Sequence, residues 1–355
     1  MGCRALLLAF WGVAALAQTA PANQHFREGL RLRDEGKKIQ ALQEFRRAAK
    51  LDPQLPGVDR EIGLILLDRR DFPGAGAAFR TAARRDPADF ESRYNLALSL
   101  ANAGKKQEGV QEIKALLRDK PGWGQAYFGL GHIYALQGRA AEAEQELRTA
   151  LRLDSTLFRA YFELGKILEQ KGDREGAIQA FSAGARLSPD SAAARFRLAT
   201  LLRQAGRAKE AEAEFSAVRE LRDTRFRGEQ SALAYQQGMA HLESGEVLTA
   251  IRELKRAFEL RPDFPEIRDA LADAHERQAV AFEEKGEIPA AIEQFRLALA
   301  LSPSAGTENH VGVLLARTGR VEEAIESFRR ALKLQPGHAN AEVNLSRALE
   351  LKSSR

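Results

Sequence analysis

Apolar and small residues recur along this chain at helical spacing and, above that, with a longer period. Gly124 to Leu157 shows the unit most clearly. Tyr127, Leu130, Tyr134 and Leu147 are apolar at intervals that fill one helix face, while Gly131 and Ala143 are small where two helices would touch. Ala150 is placed to touch the next unit, and Gly138 divides the two patterns, where a residue tolerating positive φ ends a first helix. These 34 residues read as a helical hairpin.

The pattern repeats from about residue 22 to the C-terminus. The small residue of the first helix recurs every 34 positions as Gly29, Gly63, Ala97, Gly131, Gly165 and Ala199. The small residue of the second helix follows as Ala41, Ala75, Gly109, Ala143, Ala177 and Ala211, and the large one four later as Phe45, Phe79, Ile113, Leu147, Phe181 and Phe215. Pro53, Pro87, Pro121 and Pro189 close second helices, because proline cannot continue a helix; Ser155 and Asp223 stand in its place in two units. No segment alternates as a strand would, and the composition favours helix throughout, so the chain reads as all-α.

After Ala199 the spacing changes. Gly238, Ala279, Gly312 and Ser346 continue the first small position, with Ala250, Ala291 and Ala324 as the second. The gap from Ala199 to Gly238 is 39, five more than 34, and that from Gly238 to Ala279 is 41, seven more. Seven residues are about two helical turns and keep an apolar face in phase. They are assigned to an extended helix within Asp263 to Lys285, with Asp263 as N-cap, Pro265 in the first turn, and Ile267, Leu271, Ala274 and Phe282 on the buried side. The five-residue insert falls near Arg222 to Gln230 and is read as a lengthened connection that bends or hinges the array, with a basic docking site as the alternative.

Gly or Ala, Tyr or Leu, Gly, Ala, Phe, Ala and Pro at fixed offsets in a 34-residue unit resemble the tetratricopeptide repeat. Nine such units start near Ala22, Pro56, Phe90, Gly124, Phe158, Ala192, Ser231, Ala272 and Ala305. Repeats one to six span 22–230 and repeats seven to nine 231–338, and 339–355 form a capping helix and tail with Leu345 and Leu349 on its buried side. The resemblance implies a right-handed superhelical α-solenoid of antiparallel helix pairs, stable only through neighbour contacts. Gly109, Leu116, Gly184 and Val218 depart from the pattern.

The first residues follow another logic. Arg4 precedes Ala5 to Ala17, an uncharged apolar run of 13 residues ending Ala15-Leu16-Ala17, which matches a cleaved export signal over 1–17 with a short linker at 18–21. The run is short for a membrane span; an uncleaved anchor is the alternative. Cys3, the single cysteine, precedes the run, so cleavage leaves a chain without thiols or disulfides, expected to be periplasmic or secreted.

Charge adds little. The formal net charge is +5, and basic residues are interleaved with acidic ones as solvated helix faces. This is no nucleic-acid signature, although the sequence pI of about 9.3 favours an acidic partner. The six histidines are scattered without metal-ligand spacing, Gly74-Ala75-Gly76 follows no strand, and Gly104-Lys105 lacks the upstream glycine of a phosphate loop. No enzymatic activity, metal or cofactor is expected; a catalytic reading would need a site formed between distant repeats.

One further ladder stands out on the first helices: Tyr94, Phe128, Phe162 and Phe196 every 34 residues, continued by Tyr235. One turn on stand Leu98, His132, Lys166, Thr200 and Met239, with Arg159, Arg197 and Arg203 nearby. The resemblance places this offset on the inner, concave face, implying an aromatic strip centred on units three to seven. Two readings remain open: packing between adjacent first helices, or a groove gripping an extended, acidic peptide segment. The family's carboxylate-clamping pattern is absent, since Phe26 and Leu30 replace its Lys and Asn, and Asn95 stands nearly alone among the positions matching the asparagine run of its sugar-transferase members. The expected function is a protein-interaction scaffold of the envelope or secreted space; the alternative is self-assembly through repeat edges and the inserts flanking repeat seven.

Overall fold

The computed structural model describes residues 21–354, so the expected export segment, most of its linker and Cys3 lie outside the described residues. Every described element is a helix. Helix α1 covers 21–34 and pairs with α2 (Lys38–Leu51). The pairs α3 (Val58–Asp68) and α4 (Phe72–Arg85), α5 (Phe90–Asn102) and α6 (Lys106–Asp119), α7 (Gly124–Leu136) and α8 (Ala140–Leu153), and α9 (Phe158–Gln170) and α10 (Arg174–Leu187) follow. Then come α11 (Ala192–Gln204), the long α12 (Ala208–Glu243), α13 (Val247–Leu260), α14 (Pro265–Glu284), α15 (Ile288–Leu301), α16 (Ala305–Arg317), α17 (Val321–Leu334) and α18 (Ala339–Ser353). The chain divides into two compact units, residues up to Val218 and from Arg219 onward.

The small positions explain how each hairpin closes. A Cβ on Gly131 would lie 2.8 Å from Leu147 Cγ, and on Gly63 or Gly165 2.8 Å from the ring of Phe79 or Phe181. The large residue of each second helix thus rests directly on the glycine of the first. Repeat three exchanges the roles: Ala97 takes the first-helix place, and a Cβ on Gly109 would meet the Ala97 carbonyl oxygen at 2.7 Å. Gly109 thus lies directly on the Ala97 backbone carbonyl, with the smaller Ile113 as the large residue.

Each first helix ends in the same Schellman turn. In repeat three the Gly104 N–H donates to Ala101 O (3.1 Å) and the Lys105 N–H to Leu100 O (2.9 Å), with Gly104 at φ 90°. Equivalent glycines in the other repeats have φ between 76° and 80°. Arg70 is the exception, holding φ 60° with the same two hydrogen bonds, Arg70 N–H to Leu67 O (3.0 Å) and Asp71 N–H to Leu66 O (2.9 Å).

The inserts resolve differently. Helix α14 has 20 residues against 13 for α7, and buries Ile267, Leu271 and Ala274 with Phe282 half-buried. Its N-cap is Phe264, not Asp263, whose carboxylate instead faces Arg261 (3.4 Å); Pro265 begins the first turn. Arg222 to Gln230, expected as a connection, lie inside α12. In repeats one, two and four an aspartate side chain turns the chain out of the second helix, as where Asp86 accepts from the Ala88 N–H (2.9 Å) and Asp154 from the Thr156 N–H (2.9 Å), and proline follows the helix in most of the others. Repeat six has Arg222 at that place and Asp223 for proline, so nothing stops the helix. In α18 the buried residues are Ala341 and Ala348 with Leu345 half-buried, whereas Leu349 is 43% exposed, correcting its expected burial.

Candidate functional site

Four consecutive first helices of the N-terminal unit, α3, α5, α7 and α9, line one cleft of about 570 Å³. Helix α3 contributes Leu64, Leu67 and Asp68, and α5 contributes Leu98 and Asn102. Helix α7 supplies Phe128 and His132, and α9 supplies Phe158, Arg159, Phe162 and Glu163. The 34-residue period produces the rows: Leu64, Leu98 and His132 stand at one offset, Asp68 and Asn102 at another. Because the second helices carry the contacts that close each hairpin, these offsets remain on a free face. Leu64 is 37% exposed in the cleft.

Four of the nine residues singled out from sequence meet in this cleft: Leu98, Phe128, His132 and Phe162. Phe128 is only 9% exposed, with its ring stacked on His132 at 6.2 Å. Phe162 is half-buried, edge-on to Phe181 at 5.6 Å. The other five lie elsewhere. Tyr94 is 3% exposed, packed on Trp123 at 5.6 Å, and a Cβ on Gly129 would strike its ring at 2.6 Å. It therefore packs α5 against α7, in line with the packing reading of the ladder at this position, and burial pushes its phenol well up from its ordinary value. Phe196 is 54% exposed and edge-on to Phe215, while the Arg203 guanidinium lies over Phe215 at 5.3 Å. Tyr235 belongs to the C-terminal unit, half-buried against the cluster of Leu254 and Leu271. Lys166 borders a smaller hollow of about 160 Å³ between α7 and α9, shared with His132 and Gly138.

Leu64, Leu67, Asp68, Asn102, Phe158 and Glu163 were not singled out from sequence. Following the Leu98 offset back by one period finds Leu64, but the aromatic ladder is interrupted there by Arg60, which hid the second repeat from a reading based on rings.

The charges are mostly neutralised within the fold. Lys166 Nζ donates to Glu163 Oε2 at 3.0 Å, Asp68 accepts from Lys38 at 2.9 Å, and Arg197, expected beside the groove, binds Glu169 at 2.7 Å. His132 Nδ1 is 3.9 Å from Glu163 Oε1, beyond hydrogen-bond reach. Burial lowers the imidazole pKa, Glu163 opposes this, and Lys166 and Arg159 reinforce it, so His132 is neutral at neutral pH. The cleft thus offers apolar side chains, an amide, a neutral imidazole, paired carboxylates and the Arg159 guanidinium. Among the described residues no three His, Cys, Asp or Glu side chains converge to hold a metal, and no helix is long and apolar enough to cross a membrane.

Tetratricopeptide repeat models match residues 26–90, 60–122 and 235–306, and further such models match 168–228, 131–172 and 309–338. No curated protein matches the chain. Among solved structures, MamA 41-end from Desulfovibrio magneticus RS-1 is similar at 19% identity and TM-score 0.42, over 48% of this chain and 97% of that one. TTC0263, a thermophilic TPR protein of Thermus thermophilus, is similar at 23% identity and TM-score 0.44, over 51% of this chain and 98% of that one. A monomeric IFIT1 mutant with Gppp-AAAA is similar at 17% identity and TM-score 0.46, over 88% of this chain and 71% of that one.

Proposed function

Because the chain belongs to the tetratricopeptide repeat family, whose all-α solenoid fold supports protein-interaction scaffolds, we propose that it is a non-enzymatic scaffold holding an extended segment of another protein in the cleft of repeats two to five. The observation that carries this is the row of partly exposed apolar side chains along one cleft, Leu64 and Leu67 on α3, Leu98 on α5 and Phe158 and Phe162 on α9, with the buried Phe128 of α7 beneath them. Four helices side by side at roughly 9 Å spacing span about 30 Å, which an extended chain of about nine residues crosses. Alternate side chains of such a segment reach the leucine and phenylalanine rows, and burying a leucine or phenylalanine there contributes about 1.5–3 kcal/mol. Arg4 and the apolar run up to Ala17 support an exported protein of the envelope or secreted space.

The test is capture of a partner from native envelope extract by the full chain and by the Leu64→Asp/Phe162→Ala variant, with circular dichroism confirming equal helicity. Loss of the captured protein in the variant is expected. Equal capture by both chains refutes the groove reading.

A further inference from the structure

We propose that the segment held in this cleft is an apolar peptide carrying one acidic side chain, and that Arg159 selects it; the inference rests on the groove reading above. Three charged groups other than Arg159 bear on the cleft, and each is already matched: Asp68 by Lys38, and Glu163 with Lys166 by one another. Arg159 lines the same cleft, is exposed, and among the described residues takes part in no ion pair or hydrogen bond. Its charge bears on the His132 imidazole within the cleft and on the buried Tyr94 phenol outside it, acting to lower the pKa of each.

The local chemistry makes that position discriminating. A guanidinium offers five donors in a planar fork that a carboxylate meets with two parallel hydrogen bonds, and it stays charged at every physiological pH. Beside Phe128, Phe158 and Phe162 water is partly excluded, so the pair is screened less than on an open helix face. A peptide cation would instead face Arg159 with nothing to offset the repulsion, because Glu163 is occupied by Lys166. A single unmatched cation in an apolar cleft also argues against nucleic acid, whose binding draws on several phosphate contacts at once. Arg159 is on α9, the last of the four lining helices, beside Phe158 and Phe162, so the acidic side chain falls near one end of the bound segment.

The experiment is selection of random dodecapeptides, displayed with their C-termini fused so that no terminal carboxylate is offered, on the immobilised full chain. Selected peptides are then measured by fluorescence anisotropy against the wild type, Arg159→Glu, and Leu64→Asp/Phe162→Ala. Expected are sequences with bulky apolar residues and one Asp or Glu, whose Asp→Asn version binds about tenfold more weakly. Arg159→Glu is expected to remove that tenfold difference and, on reselection, to enrich Lys or Arg at the same place. Peptides that need Leu64 and Phe162 but show no acidic residue, or keep their acidic preference on Arg159→Glu, overturn the Arg159 assignment alone. Peptides indifferent to the Leu64→Asp/Phe162→Ala change, displacement by a random-sequence RNA, or no enriched peptide overturns the groove reading as well.

Discussion

Replacing Arg70 by glycine should stabilise this protein, which is unusual for the removal of a large side chain. Arg70 occupies the left-handed position of the first-helix turn in repeat two, at φ 60°, where the corresponding turns use glycine. Left-handed backbone costs a residue with a Cβ about 1–2 kcal/mol. Glycine at that place removes the cost but adds about 0.5–1 kcal/mol of unfolded-state entropy to be lost. The difference is a gain of roughly 0.5–1 kcal/mol. Nothing offsets it, because among the described residues the Arg70 side chain makes no hydrogen bond or ion pair, and both turn hydrogen bonds come from backbone that glycine retains. The mirror substitution supplies the control: Gly104→Arg enters the same turn at φ 90° with no atom within 4 Å of the new Cβ, so its penalty is backbone strain alone. Urea unfolding followed by circular dichroism reads both. With a slope of about 2 kcal/mol per molar urea, Arg70→Gly should raise the midpoint of the N-terminal unit by about 0.3–0.5 M and Gly104→Arg should lower it. A lower midpoint for Arg70→Gly refutes the strain argument and assigns Arg70 a stabilising contact of its own.

Two other outcomes follow from the packing and the charges. Gly131→Leu drives a branched side chain into Leu147, whose Cγ is 2.8 Å from the position of the first added atom, and should destabilise by about 1–3 kcal/mol; a thermal midpoint equal to the wild type's would exclude the glycine contact as the reason for that residue. His132 is held neutral by burial, so its folded pKa lies below the unfolded value of about 6.5. Between those two values the unfolded chain binds a proton that the folded one does not, and stability falls as pH falls below about 6.5 until the folded pKa is passed. His132→Gln should flatten this part of the pH–stability curve relative to the wild type, and parallel curves for the two proteins would refute the burial assignment.

How far the sequence carried differs between fold and site, for physical reasons. The period was legible because close packing of two helices imposes a steric demand at each crossing, and glycine or alanine is the answer wherever the same crossing recurs. Repeat three shows the limit: Gly109 looks like a defect when read alone and becomes the partner of Ala97 once the carbonyl beneath it is seen. Helix ends were legible where proline or an aspartate turn stops the chain, and α12 runs on where Arg222 and Asp223 supply neither. The site was harder, because offset within a repeat fixes which face a side chain starts from but not what its neighbours do to it. Tyr94 and Phe196 share one offset, yet Gly129 opens a slot that takes Tyr94 in, while Phe196 stays in solvent. Lys166, Arg197 and Arg159 read alike as cations beside a groove, and only the positions of Glu163 and Glu169 distinguish them. Two of the three are matched inside the fold, so the electrostatic preference of the cleft rests on the remaining one, and a composition-level excess of positive charge says nothing about which residue that is.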